Sequence, residues 1–163
     1  MILGFSTFTW VHTILSIVAL LAGLVVVAGL LGTRTLPQWT GLFLVTAIAT
    51  SVTGFGFPFE KFQASHWIGV ISLAALALAI LARYMFHLAG AWRWIYVVTV
   101  AVAAYFLVFV AIAQAFKKVP SLHAMAPTLS EAPFTVSQLL VLLVFAGIIV
   151  TAVIKFQPAS TRD

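Results

Sequence analysis

Four histidines, three acids and a few amides and hydroxyls are all that this 163-residue chain offers for chemistry. His12 and His66 each stand near one end of a long apolar run. Two imidazoles brought to one depth by two helices would ligate a b-type haem or a metal ion, because imidazole suits iron, copper and zinc. His123-Ala-Met125 joins an imidazole to a thioether, a pair that copper accepts. Glu60 adds a carboxylate beside Lys61, while Gln114 and Gln138 add amides near helix ends. The same groups could instead line a pocket for a small molecule, lipid or quinone, with His and Glu exchanging protons. Trp10, Trp67 and the series Phe55, Phe57, Phe59 and Phe62 would then supply its apolar walls. They could also satisfy one another as a purely structural network.

Several chemistries are excluded outright. The chain has no cysteine, which removes thiolate metal sites and thiol nucleophiles. It has no phosphate-binding glycine loop, no G-x-S-x-G and no H-E-x-x-H. Paired-carboxylate catalysis would need Glu60 and Glu131 to meet across two loops, since Asp163 is the last residue.

The elements that must position these residues follow from composition. The chain is 64% hydrophobic and only 7% charged, against about 25% charged in soluble domains. A soluble fold of this size could not hide so much apolar surface. In a bilayer the lipid-facing positions must be apolar, so an all-α integral membrane protein is expected. No polar stretch is long enough for a soluble domain, so residues 1–163 read as a single membrane domain. The net charge of +5 comes from Lys and Arg scattered at helix ends, where they meet lipid headgroups and not nucleic acid.

Hydropathy predicts a compact bundle of five spans at about 9–32, 38–56, 66–87, 94–116 and 135–155. The first run lacks a positive flank and is too long for a signal-peptide core, so it reads as a retained span. On it, His12, Ser16, Ala19 and Gly23 share one helical face, and small or polar residues mark the side that meets other helices. The Ala19–Gly23 pair would suit a partner helix as well as its own bundle. Thr46, Thr50 and Thr53 stripe span 2 and are expected to hydrogen-bond back to carbonyls one turn earlier. Ser65 is a candidate N-cap for span 3. Tyr96, Thr99, Ala103, Val110 and Gln114 share a face of span 4. Thr135-x-x-Gln138 has the form of a capping box that would start span 5, with Phe134 and Leu139 as its staple. Trp10, Trp39, Trp67, Trp92 and Trp94, with Arg83 and Arg93, are the expected interface anchors.

Five spans would carry His12, Thr50, Thr53, His66, Gln114 and Gln138 to one end of the bundle, with Glu60, His123 and Glu131 in the loops above. That end holds Lys61, Lys117 and Lys118, and the other holds Arg34, Arg83, Arg93, Lys155 and Arg162. The positive-inside rule then puts the N-terminus outside and the C-terminus in the cytoplasm.

The stretches GFGFPF, SHWIGVISL, ARYMFHLAGAWRWIYV and FKKVPSLHAMAPTLSEAPF together resemble a group of small uncharacterised proteobacterial multi-pass membrane proteins. The resemblance covers Trp10 to Phe156 and implies a bacterial inner-membrane location. It implies no activity, ligand or site residue. Two functions stay open on the sequence: an accessory or ligand-binding membrane protein, alone, as a homo-oligomer or in a larger complex, and a haem- or metal-binding redox protein.

Overall fold

In a computed structural model of the protein, residues 6–57 and 64–157 are described, and among them only helices and turns occur. The helices are α1 (Thr7–Leu31), α2 (Pro37–Gly54), α3 (Ala64–Ile80, prolonged by a π-helical turn, Leu81–Met85), α4 (Trp92–Lys118), α5 (Pro120–Met125) and α6 (Ala132–Lys155). Four of them, α1, α3 with its π turn, α4 and α6, are long and apolar enough to cross a membrane. α2 is not among these four. Its 18 residues include Gln38, Ser51 and four threonines, which lower its hydropathy.

Local signals explain most boundaries. Ser6 caps α1, its Oγ accepting from Thr9 N–H at 3.1 Å. Pro37 opens α2, where a missing N–H costs nothing. α3 already includes Ala64, so Ser65 lies inside the helix and not ahead of it as expected. The turn after α3 is wide: Phe86 N–H reaches Leu81 C=O at 3.0 Å and Leu88 N–H reaches Ala82 C=O at 2.9 Å. His87, Leu88 and Gly90 then take positive φ and reverse the chain. Phe86 stacks on Trp92 with ring centroids 3.8 Å apart, which closes this hairpin. Trp92 and Trp94 thus both belong to α4, which begins two residues before the expected start.

The expected capping box at Thr135 does not form. Pro133 suits the first turn, so α6 starts at Ala132 with Glu131 as the N-cap residue. Gln138 turns away to α4 and never reaches back to the helix start. The Glu131 carboxylate instead holds the preceding loop, accepting from Thr128 N–H, Thr128 Oγ1–H and Ser130 N–H. Desolvation pushes its pKa up, but these hydrogen bonds outweigh it and hold the carboxyl below its ordinary range.

α1, α2, α3 and α4 form a ring in which each helix packs on its two neighbours, and α6 lies outside, along α4 and touching α1. In lipid there is no hydrophobic gain from pressing one apolar helix on another, so close contact of small residues drives association. The crossings are lined accordingly by Ala19, Ala22 and Gly23 of α1, Ala47 of α2, Ala79 and Ala82 of α3, and Ala103 and Ala104 of α4, all buried. Phe43 and Tyr96 fill the centre of the ring, with Leu30, Leu76, Val97 and Val100 around them. A methyl group on Gly23 would lie 2.8 Å from the Phe43 ring and 3.4 Å from the Ala104 methyl. The Ala19–Gly23 stripe therefore packs inside its own bundle.

α6 is held by a narrow seam. Gln138, Phe145 and Ala152 are its buried residues, and Val141 and Ile148 pack between them. That 3-4 spacing is the seam of a coiled coil. Leu139, Leu140, Leu143, Val144, Val150 and Ile154 face outward, as lipid requires. The far end of the seam is pinned where Arg93 donates to the Phe156 carbonyl at 3.0 Å.

Two outcomes are expected. Gly23→Leu should lower stability by about 1–3 kcal/mol through overpacking against Phe43; an unchanged thermal midpoint in detergent would show that this face meets lipid. Because the folded pKa of Glu131 is lowered, its contribution is complete above the unfolded value and is lost as pH falls through the folded one. Protection of the Thr128 and Ser130 amides, relative to their intrinsic exchange at each pH, should therefore persist through the ordinary carboxylate range and be lost in stronger acid, and Glu131→Gln should abolish that acid-dependent loss.

Candidate functional site: an open cavity at one end of the ring

The two halves of the ring are filled differently. Toward the α1–α2 turn, Phe43 and Tyr96 occupy the centre. Toward the other end Phe55, Phe57 and Phe106 stand in the walls, and among the described residues the space between α1, α2, α3 and α4 remains open as a cavity of about 750 Å³. This lies within the ~300–1,000 Å³ of ordinary ligand sites.

The cavity is graded from mouth to floor. Its mouth carries Thr9, His12, His66, Gln114, Lys117 and Lys118. Its lower walls are mostly apolar, with Leu20, Leu76, Ala103, Phe106 and Leu107, and Ser72 is a hydroxyl among them. No acidic residue occurs among the described residues that line it. Helical spacing produces this grading directly. His12 and Ser16 sit one turn apart on α1, and the same face then runs into Ala19 and Gly23 of the core. His66 lies in the first turn of α3 and is buried, and Ser72 is on the same helix about one and two-thirds turns deeper.

The two imidazoles bracket the end of α2. His12 Nδ1 is 2.8 Å from Thr53 Oγ1, and its ring stands edge-on to Phe57 at 5.0 Å. His66 packs on Phe55, 5.7 Å between centroids. The Thr53 hydroxyl has one proton, and Ala49 C=O lies 2.7 Å from Oγ1. An O···O contact that short needs the proton between the two atoms, so Thr53 donates to Ala49 and accepts from His12. The neutral His12 ring is thereby fixed with its proton on Nδ1 and its lone pair on Nε2.

Of the predicted threonine stripe, Thr46 and Thr53 bond back to Leu42 and Ala49 as expected. Thr50 does not. Its Oγ1 is buried and has no hydrogen-bond partner among the described residues. Its residue lines the cavity wall, yet the oxygen itself is closed off from the open space.

The predicted layer is only partly assembled. His12, His66 and Gln114 meet on the cavity. Gln138 does not: it lies in the α4–α6 seam, where Nε2 donates to Phe109 C=O at 3.1 Å and Oε1 has no partner among the described residues. An amide at a seam position reads as a pore or site residue in sequence, but here the ring excludes its helix. His123 is on α5, where neither it nor Met125 joins the cavity, and Met125 is exposed. Glu60 and Lys61 lie outside the described residues. No group of three or more His, Cys, Asp or Glu side chains is placed to hold a metal among the described residues.

At the opposite end the structure shows a polar cluster that the spacing of polar residues did not reveal. The buried Tyr96 hydroxyl meets Thr40 Oγ1 and an Arg83 N–H, each at 3.4 Å. The Arg83 guanidinium also lies 5.7 Å from the Tyr84 and Tyr96 ring centroids. Arg83, expected as an interface anchor, is tied to the filled half of the bundle. Trp39, Trp67 and Trp94 are exposed near helix ends.

No protein family, curated protein or solved structure matches this chain. The site therefore stands on its own geometry. Thr53→Val removes two hydrogen bonds, to Ala49 and from His12, and should cost about 1–3 kcal/mol at the net worth of an ordinary hydrogen bond each. The isosteric Thr50→Val removes only an unsatisfied hydroxyl, and the detergent thermal midpoint should stay level or rise; a fall as large as that of Thr53→Val would mean the Thr50 hydroxyl is partnered.

Proposed function

We propose that this is a multi-pass inner-membrane protein that binds a small amphipathic molecule in the open end of its four-helix ring. The observation that carries this reading is the grading of the cavity, polar and cationic at the mouth and mostly apolar on the floor. An amphiphile would sit with its head at His12, His66 and Gln114 and its tail between Leu20, Leu76 and Leu107.

The membrane placement takes α2 as a fifth span. Its 18 residues rise roughly 27 Å at 1.5 Å each, close to the ~30 Å of a hydrocarbon core. The polar mouth supports this, because its wet end shortens the distance that α2 must cross in lipid. With five spans the termini lie on opposite sides, and the excess of positive residues near Arg34, Arg83, Arg93 and Lys155 puts that end in the cytoplasm. The cavity then opens outward. The resemblance to small proteobacterial membrane proteins supports the inner membrane as its location.

The test is what the protein carries when purified. Val110→Trp places an indole in the cavity, whereas Leu143→Trp alters only the exposed face of α6. Mass spectrometry of the purified protein should find a bound amphipathic molecule in the wild type and in Leu143→Trp, and none in Val110→Trp. Equal loading of all three would sink the cavity as the binding site.

A second reading is favoured by one observation. His12 and His66 line the same cavity, and His12 is oriented through Nδ1 with Nε2 left as a lone pair, the state that a metal ligand needs. In this reading the two imidazoles would hold a b-type haem or a metal ion. The protein would show a Soret band that His12→Ala and His66→Ala each abolish. A colourless, metal-free preparation rules it out.

A further inference from the structure

The lone pair on His12 carries the binding proposal one step further, to the chemistry of the ligand's head. Three facts combine. Thr53 uses its only proton on Ala49, so it accepts from His12 Nδ1–H. His12 lines the mouth of the cavity. Among the described residues no hydrogen bond reaches His12 Nε2. The neutral ring therefore offers an acceptor on a residue that lines the cavity, and its tautomer is set by Thr53 of α2.

An acceptor in a partly desolvated site discriminates by what it leaves unpaired. A ligand head that donates an O–H satisfies Nε2. A head of the same size that only accepts, such as an ether or an ester, leaves the lone pair facing another lone pair. We propose that the cavity selects amphiphiles whose head carries a hydroxyl donor, an alcohol or a phenol, and that His12 is the residue that reads it. Thr53 is a positioning residue, since it acts only through the imidazole. This inference rests on the binding reading above, because it assumes that the cavity takes an amphiphile.

The other groups at the mouth fit this assignment. Gln114 offers both an amide carbonyl and an N–H, so it can serve either kind of head and does not discriminate. Lys117 and Lys118 are the feature that would favour a different ligand, an anionic amphiphile drawn by charge. Both follow Gln114 at the end of α4, and they enter the test as a separate arm.

The experiment uses para-heptylphenol, its O-methyl ether and octanoate as probes. Each is titrated into the full-length protein in maltoside micelles, with empty micelles as the blank. The phenol should bind saturably and the methyl ether roughly tenfold more weakly, the scale of one lost hydrogen bond. In His12→Phe the two should bind alike, because the acceptor is gone while an aromatic ring of similar size remains. In Thr53→Val the preference should shrink, since the ring is free to carry its proton on Nε2, and nitrogen NMR of the imidazole would report that change of tautomer directly. Equal binding of phenol and ether to the wild type would overturn the His12 assignment and leave the cavity reading standing. Tighter binding of octanoate than of the phenol would overturn it in favour of the lysines. Failure of all three probes to bind would overturn the cavity reading itself. A His12→Phe protein that still preferred the phenol would show that another residue reads the hydroxyl.

Discussion

The edge of the Phe43 ring lies against the bare Cα of Gly23, and much of the bundle follows from that contact. A bilayer gives no gain for hiding leucine from lipid, so helices hold together only where they come close. Gly23 lets α2 send a whole aromatic ring into the centre of the ring of helices, where Ala104 meets it from α4. Tyr96 extends the same filled half and is tied to Thr40 and Arg83. At the other end the helices carry hydroxyls, imidazoles and short chains at the inward positions. These cannot fill the space between four helices, and the cavity is the result. The site is thus the complement of the core: one set of helix faces makes both, with Phe43 and Tyr96 filling one half and polar groups gathered at the mouth of the other.

This division was largely legible in the sequence. The His12–Ser16–Ala19–Gly23 stripe has the 3.6 period of a helix face, and it runs from the site into the core in the order the stripe suggests. Hydropathy located α1, α3, α4 and α6 to within a few residues, because lipid imposes a requirement that composition alone reveals. α2 was harder. Thr46 and Thr53 bond back to their own helix and Thr40 meets Tyr96, so these threonines make the helix polar by count while leaving it able to sit among apolar neighbours.

What the sequence hid depended on choices between near-equal local options. The box at Thr135 lost to Pro133 and Glu131, which begin α6 a turn earlier and use the carboxylate on the loop behind it. Thr50 and Thr53 are identical residues on one helix, yet only the second has a partner across the ring, and no pattern within α2 announces that. Gln138 carried the strongest intramembrane polar signal of α6, but a residue's depth does not tell whether its helix belongs to the ring or lies outside it. The π turn at Leu81–Met85 has no signature in residue type. It became visible only through the wide Leu81–Phe86 hydrogen bond that places Arg83 beside Tyr96.

The position of α6 has a mechanical consequence. By lying along α4 and touching α1, it straps one of the four joints of the ring from outside, and the Arg93–Phe156 bond ties down its end. Among the described residues, no helix outside the ring braces the α2–α3 joint in the same way. A square frame stiffened along one side yields at the unbraced corners, so any widening of the cavity concentrates where α2 meets α3. The two histidines stand at that compliant corner and at its neighbour, with the end of α2 between them.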